Sequence, residues 1–127
     1  MLIVTNNKLV VRNYSAYPIL FVEGGIYNVL EKVKKAIVDQ KKTLLTHPLS
    51  SSLKPNETVY KTIILSSTSG QYVDLGSLEL IENAINVCDK FKKNSSTPVW
   101  PGKILDDFAL IDYDLVNNII PKIQYKN

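Results

Sequence analysis

Four short aliphatic and β-branched runs, at residues 2–5, 19–22, 43–46 and 62–65, divide the first half of the chain, and none of them alternates apolar with polar residues. Near-continuous runs of this kind suit strands covered on both faces. Between them the period changes. Ile26, Val29, Leu30, Val33, Ala36 and Ile37 recur at threes and fours, with Glu31, Lys32, Lys35 and Asp39 outside the stripe, so an amphipathic helix is expected there. A second helix should follow Asp74, with Ser77 as its cap, Glu79 and Glu82 near its positive end, and Leu78, Ile81, Ala84, Ile85, Cys88 and Phe91 as its buried stripe. Residues 8–17 allow a short crossover helix through Leu9, Val10 and Val11.

Beyond the Pro- and Ser-containing stretch at 94–103, two readings compete. Phe108 to Ile111 can form a last strand, with Asp112 capping a short helix of Leu115, Val116, Ile119 and Ile120, or residues 105–120 can form one helix. The first is preferred, and Pro121 should end or kink the helix in either case. Strands alternating with helices predict a single α/β domain over residues 1–127: a three-layer open sheet, mostly parallel, Rossmann-like or flavodoxin-like.

Composition narrows the function classes. With 45% hydrophobic and 21% charged residues the chain has the makings of a folded globular domain rather than a disordered one. At 127 residues it can bury roughly two thirds of the surface exposed by the unfolded chain. The lone Cys88 forms no internal disulfide, no zinc-like spacing is present, and a reducing cytoplasmic setting is expected. Neither a signal sequence nor a membrane span is read in the N-terminal segment. The net charge of +3 is weak, and the lysines at 32, 34, 35, 41, 42 and at 90, 92, 93 read as solvated helix faces and helix ends, so no nucleic-acid partner is expected.

In an open α/β sheet, ligands gather beyond the carboxyl ends of the strands. Those ends should carry Asn6 and Asn7, Glu23 to Gly25, the segment opening at His47, and Ser66 to Gly70. The His47 segment is the most suggestive. It holds the only histidine, two prolines, three consecutive serines and Lys54 between two apolar runs. Long loops without helical period are usually functional or disordered. Ser50, Ser51, Ser52 and their backbone N–H groups could wrap a small anionic ligand, with Lys54 as a point charge, His47 as a proton-transferring group, and Asn56 and Glu57 completing the surface. The alternative is a rigid polar loop in which Glu57 pairs weakly with Lys54. Asn6 and Asn7 can orient the same ligand through their amides, or simply make a turn. If the sheet is doubly wound, they should meet His47 and Ser50 on one concave edge, with His47 partly shielded from solvent.

Catalytic fingerprints are sparse. Glu23-Gly24-Gly25 is neither a dinucleotide-binding nor a P-loop motif, and Ser66 to Gly70 reads better as a plain loop than as a phosphate nest. Ser50, His47 and Glu57 lack the GxSxG setting of a nucleophilic triad. The sequence assigns no cofactor. The seven tyrosines and Trp100 suit contact surface more than catalysis.

The run Leu44-Leu45-Thr46-His47-Pro48-Leu49-Ser50-Ser51-Ser52-Leu53-Lys54-Pro55-Asn56-Glu57-Thr58, together with Val4-Thr5-Asn6-Asn7, resembles the GrdX family. These are small proteins encoded beside the glycine, sarcosine and betaine reductases of amino-acid-fermenting anaerobes. The likeness is densest over residues 1–7 and 43–63 and extends more weakly through the Ser77 helix and residues 107–115. It implies a cytoplasmic, non-catalytic accessory or regulatory role beside glycine, sarcosine or betaine reductase components. A small enzyme acting on an anionic or phosphorylated metabolite through residues 47–58 is the competing expectation.

Overall fold

Leu2–Thr5 forms β1, an aliphatic strand with Ile3, Val4 and Thr5 wholly buried. The computed structural model describes residues 1–49, 59–94 and 100–126. Asn7 ends the strand's exit turn and caps α1 (Lys8–Asn13), its side-chain oxygen accepting from the Leu9 N–H. The chain then returns as β2 (Ile19–Phe21), parallel to β1 with Ile3 opposite Ile19 and Thr5 opposite Phe21. Next comes α2 (Ile26–Asp39), whose buried residues are Val29, Leu30, Val33, Ala36 and Ile37, the stripe expected from the period.

The doubly wound expectation fails at the next strand. Residues 43–46 form no strand; Leu44 makes an isolated bridge to Leu65. β3 (Thr62–Leu65) runs antiparallel to β1, so the sheet is small and mixed, with strand order β2-β1-β3. Rather than a three-layer, mostly parallel open sheet of Rossmann-like or flavodoxin-like type, the described residues form four helices around three short strands. The physical reason is in the connection. Parallel strands require a crossover, usually a helix, and residues 47–61 carry no helical stripe. The chain can return beside its own path only in the opposite direction. Ser66 to Gly70 consequently leaves the sheet at the end where β1 begins, away from Asn6. It is a hydrogen-bonded loop there: Thr43 N–H donates to Ser66 Oγ, Gly70 N–H to Lys41 O, and Lys42 Nζ to Ser67 O.

Helix α3 (Leu75–Asn94) is capped by Asp74, not Ser77. The Asp74 carboxylate accepts from the Ser77 N–H at 3.0 Å, and Asp74 O accepts from the Leu78 N–H. The Ser77 hydroxyl and then the Ser77 N–H, both donating to it, hold the Asp74 carboxyl below its ordinary range. Ser77, buried, donates its hydroxyl to Asp74 and accepts from the Leu44 N–H, tying the helix start to the bridge segment.

The expected last strand at 108–111 is absent. Gly102–Lys126 is one helix, α4, and Pro121 lies inside it. Its core stripe is Asp112, Val116, Ile120 and Ile123. Ile120 and Ile123 are anchored on either side of Pro121, whose own ring is exposed. Packing on both flanks compensates for the donor that proline lacks.

The apolar core falls into two clusters. Val4, Val22, Ile63 and Leu65 meet α2 and α3, through Val33, Ile37, Ile81 and Ala84. Ile3 and Ile64 meet α1 and α4, through Val10, Val116, Ile120 and Ile123. Neighbouring strand residues divide between the two clusters, as the pleat requires. Cys88 packs half-buried against the first cluster.

Candidate functional site

A buried polar cluster sits where β1 ends and β3 begins. Thr5, Asn6, Asn7, Lys61 and Asp112 are each at most 7% exposed. Asn6 makes three bonds to two other backbone segments: its Nδ2 donates to Gly24 O (3.0 Å) and Val59 O (3.1 Å), and its Oδ1 accepts from the Lys61 N–H (2.9 Å). Gly24 reaches this position with φ of +112°, a conformation costly for residues with a Cβ.

Asn7 works toward the other helix layer. Its Nδ2 donates to Ala109 O (2.8 Å) and to Asp112 Oδ2 (3.0 Å), while its Oδ1 caps α1. The same Asp112 oxygen accepts from Thr62 Oγ1 at 2.7 Å. Since the Thr62 hydroxyl donates there, the 2.7 Å contact between Thr62 Oγ1 and Thr5 Oγ1 has Thr5 as donor. Thr5 Oγ1 in turn accepts from the Asn7 N–H. The hydroxyls thus form a directed chain ending on the Asp112 carboxylate.

Burial dominates the electrostatics. Desolvation raises the Asp112 carboxyl above its ordinary range, with the bonds from Asn7 and Thr62 and the charge of Lys61 pulling the other way. Desolvation likewise lowers Lys61 to about 8, opposed by the Asp112 charge. No side-chain nitrogen or oxygen buried among the described residues lacks a hydrogen-bond partner. The cluster's geometry is that of a clamp: it joins β1, β3, the turn after β2 and α4 at one point.

His47 lies elsewhere. Leu45 N–H donates to Ile64 O and Leu44 opposes Leu65, so this segment runs antiparallel to β3 and in the direction of β1. His47 therefore follows at the same end of the sheet as Asn6, with β3 between them. Contrary to expectation, it is exposed; its Nδ1 accepts from the Leu49 N–H at 3.0 Å, closing a turn around the buried Pro48. Among the described residues no hydrogen bond joins His47 to Asn6 or Asn7. Ser50, Ser51, Ser52, Lys54, Asn56 and Glu57 lie outside the described residues; Val59, which follows them in the chain, is held by Asn6.

Sequence reasoning missed Lys61, Thr62 and Asp112 as parts of this cluster. A signal was available. Asp112 occupies a four-residue step of the stripe formed with Val116 and Ile120, and a carboxylate on an apolar stripe needs an internal partner. Among the described residues, no group of three or more His, Cys, Asp or Glu side chains is arranged to hold a metal ion. No described helix is long and apolar enough to cross a membrane.

Fold and cluster define a small mixed α/β protein whose polar centre ties its elements together. The chain belongs to the GrdX-like protein family, whose model matches residues 2–121. No curated protein and no solved structure matches the chain.

Proposed function

We propose that this protein is a non-catalytic accessory or regulatory component of amino-acid reductase metabolism, the glycine reductase system in particular, and acts in the cytoplasm by binding a reductase component. The observation that carries this reading is how the central polar groups are used. Both side-chain heteroatoms of Asn6 and of Asn7 serve backbone segments or Asp112, and the Thr5 and Thr62 hydroxyls serve each other and the same carboxylate. Groups so engaged hold a shape. A catalytic group needs an atom free to meet its substrate. Family membership supports the same direction.

The test is co-purification of the tagged chain with glycine, sarcosine and betaine reductase components from extracts held oxidised, reduced or substrate-bound. Co-elution of a reductase component in at least one state is expected. Its absence in all three would overturn the partner role, and turnover of a metabolite that disappears in His47→Ala at unchanged melting temperature would overturn the proposal in favour of an enzyme.

A further inference from the structure

The edge of the sheet at β2 has a chemistry that the clamp does not use. Ile3 N–H donates to Pro18 O (3.0 Å) and Val22 N–H donates to Thr5 O (2.8 Å). In a parallel ladder successive residues direct their backbone groups to opposite sides. Residues 18, 20 and 22 therefore face β1, and the N–H and C=O groups of Ile19 and Phe21 face outward. Among the described residues no strand pairs with that outer side. Natural edge strands are guarded by short length, charges, bulges or proline. β2 is short, but its three residues carry no charge, bulge or proline, and Leu20 and Phe21 are 38% and 36% exposed.

Beside this edge, between β2 and one side of α2, lies an open groove of about 610 Å³ that includes Phe21 and Val38. Its charges are balanced: Lys32, Lys34 and Lys35 against Glu23, Glu31 and Asp39. A partner of one sign would bring like charges together. A second copy of the same mixed surface is matched in charge as a whole.

We propose that β2 is a homodimer edge, pairing antiparallel with β2 of a second copy about a two-fold axis at Leu20. Ile19 of each copy then exchanges two backbone hydrogen bonds with Phe21 of the other, because both residues present outward N–H and C=O groups. The two Leu20 residues form the central non-hydrogen-bonded pair, with Cα atoms about 4.5 Å apart. Both sheets join into one of six strands, and the α2 grooves of the two copies lie on the same face.

The axis makes the inference testable. In a Cys88→Ser background, Leu20→Cys should give a disulfide-linked dimer on mild oxidation, since that spacing falls within disulfide reach. Ile111→Cys, more exposed than Leu20 but on α4, should not. Light scattering of the unaltered chain should give twice the 14.3 kDa chain mass over a concentration series. Phe21→Pro removes one outward N–H and no bond to β1, and should return the mass to that of one chain with the far-ultraviolet spectrum retained. A monomeric parent at every concentration, or cross-linking at Ile111 as efficient as at Leu20, overturns the proposal. If Phe21→Pro fails to fold, the two cysteine variants decide it.

Discussion

The two faces of the sheet are held by different chemistry. Against α2 and α3 the contact is almost entirely hydrocarbon, from Val4, Ile63 and Leu65 to Val33, Ile37, Ile81 and Ala84. Against α1 and α4 the apolar cluster is smaller, and bonds with direction supplement it: Asn7 and Thr62 to Asp112, Asn7 to Ala109 O, and the Tyr14 hydroxyl to Asn117. The difference is instructive. Hydrophobic burial is non-directional and rewards area, whereas a hydrogen bond fixes which residue of a helix meets which residue of a strand. One face is stabilised by quantity, the other by position.

The largest effect should come from the hydrocarbon face. Leu30, wholly buried, should cost about 2–5 kcal/mol when replaced by Ala. Denaturant unfolding checks this, and a loss below about 1 kcal/mol would mean that α2 contributes little to the core.

Next in size is a pH effect confined to the polar face. Lys61 in the folded protein sits at about 8 against an ordinary 10.5. Between those values the unfolded chain holds a proton that the folded chain has released, so stability rises with pH across the window. The rise should approach about 3 kcal/mol relative to Lys61→Met, which lacks the titrating group. Asp112 gives the opposite slope on the acid side. Its carboxyl is raised, so its contribution to stability falls as pH climbs from the ordinary carboxylate value through the folded one. Parallel pH profiles for the unaltered chain and Lys61→Met above pH 8 would refute the burial argument.

Tyr14→Phe removes the hydroxyl bonded to Asn117 but keeps the ring packed against Tyr17 and Tyr113. A loss of about 1 kcal/mol is expected. The smallest effect belongs to His47→Ala. His47 is exposed and, among the described residues, its hydrogen bond lies within its own turn, so thermal unfolding should register a change within about 0.5 kcal/mol.

The same contrast explains what could be read in advance. α2 was legible because its face is closed by hydrocarbon alone, and a 3.6-residue apolar period records such a face directly. α4 was not. Its stripe passes through Asp112, while Leu110, Ile111 and Leu115 stand exposed on the other side, so residues 108–111 imitate a strand. Asn6 and Asn7 could be placed at the end of β1 from sequence. Their partners could not, because Val59, Lys61 and Asp112 reach them only through the antiparallel return of β3 and the docking of α4. The direction of β3 was open to argument from the lack of a helical apolar period in the sequence after His47.

The central claim is that Asn7 and Asp112 act together to position α4 on the sheet. A double-mutant cycle with Asn7→Ala and Asp112→Ala, read by denaturant unfolding at neutral pH, tests it most directly. A coupling of about 1–2 kcal/mol is expected for a buried hydrogen bond to a carboxylate. Additive losses, with coupling within about 0.3 kcal/mol of zero, would contradict the account and leave α4 held by its apolar stripe alone.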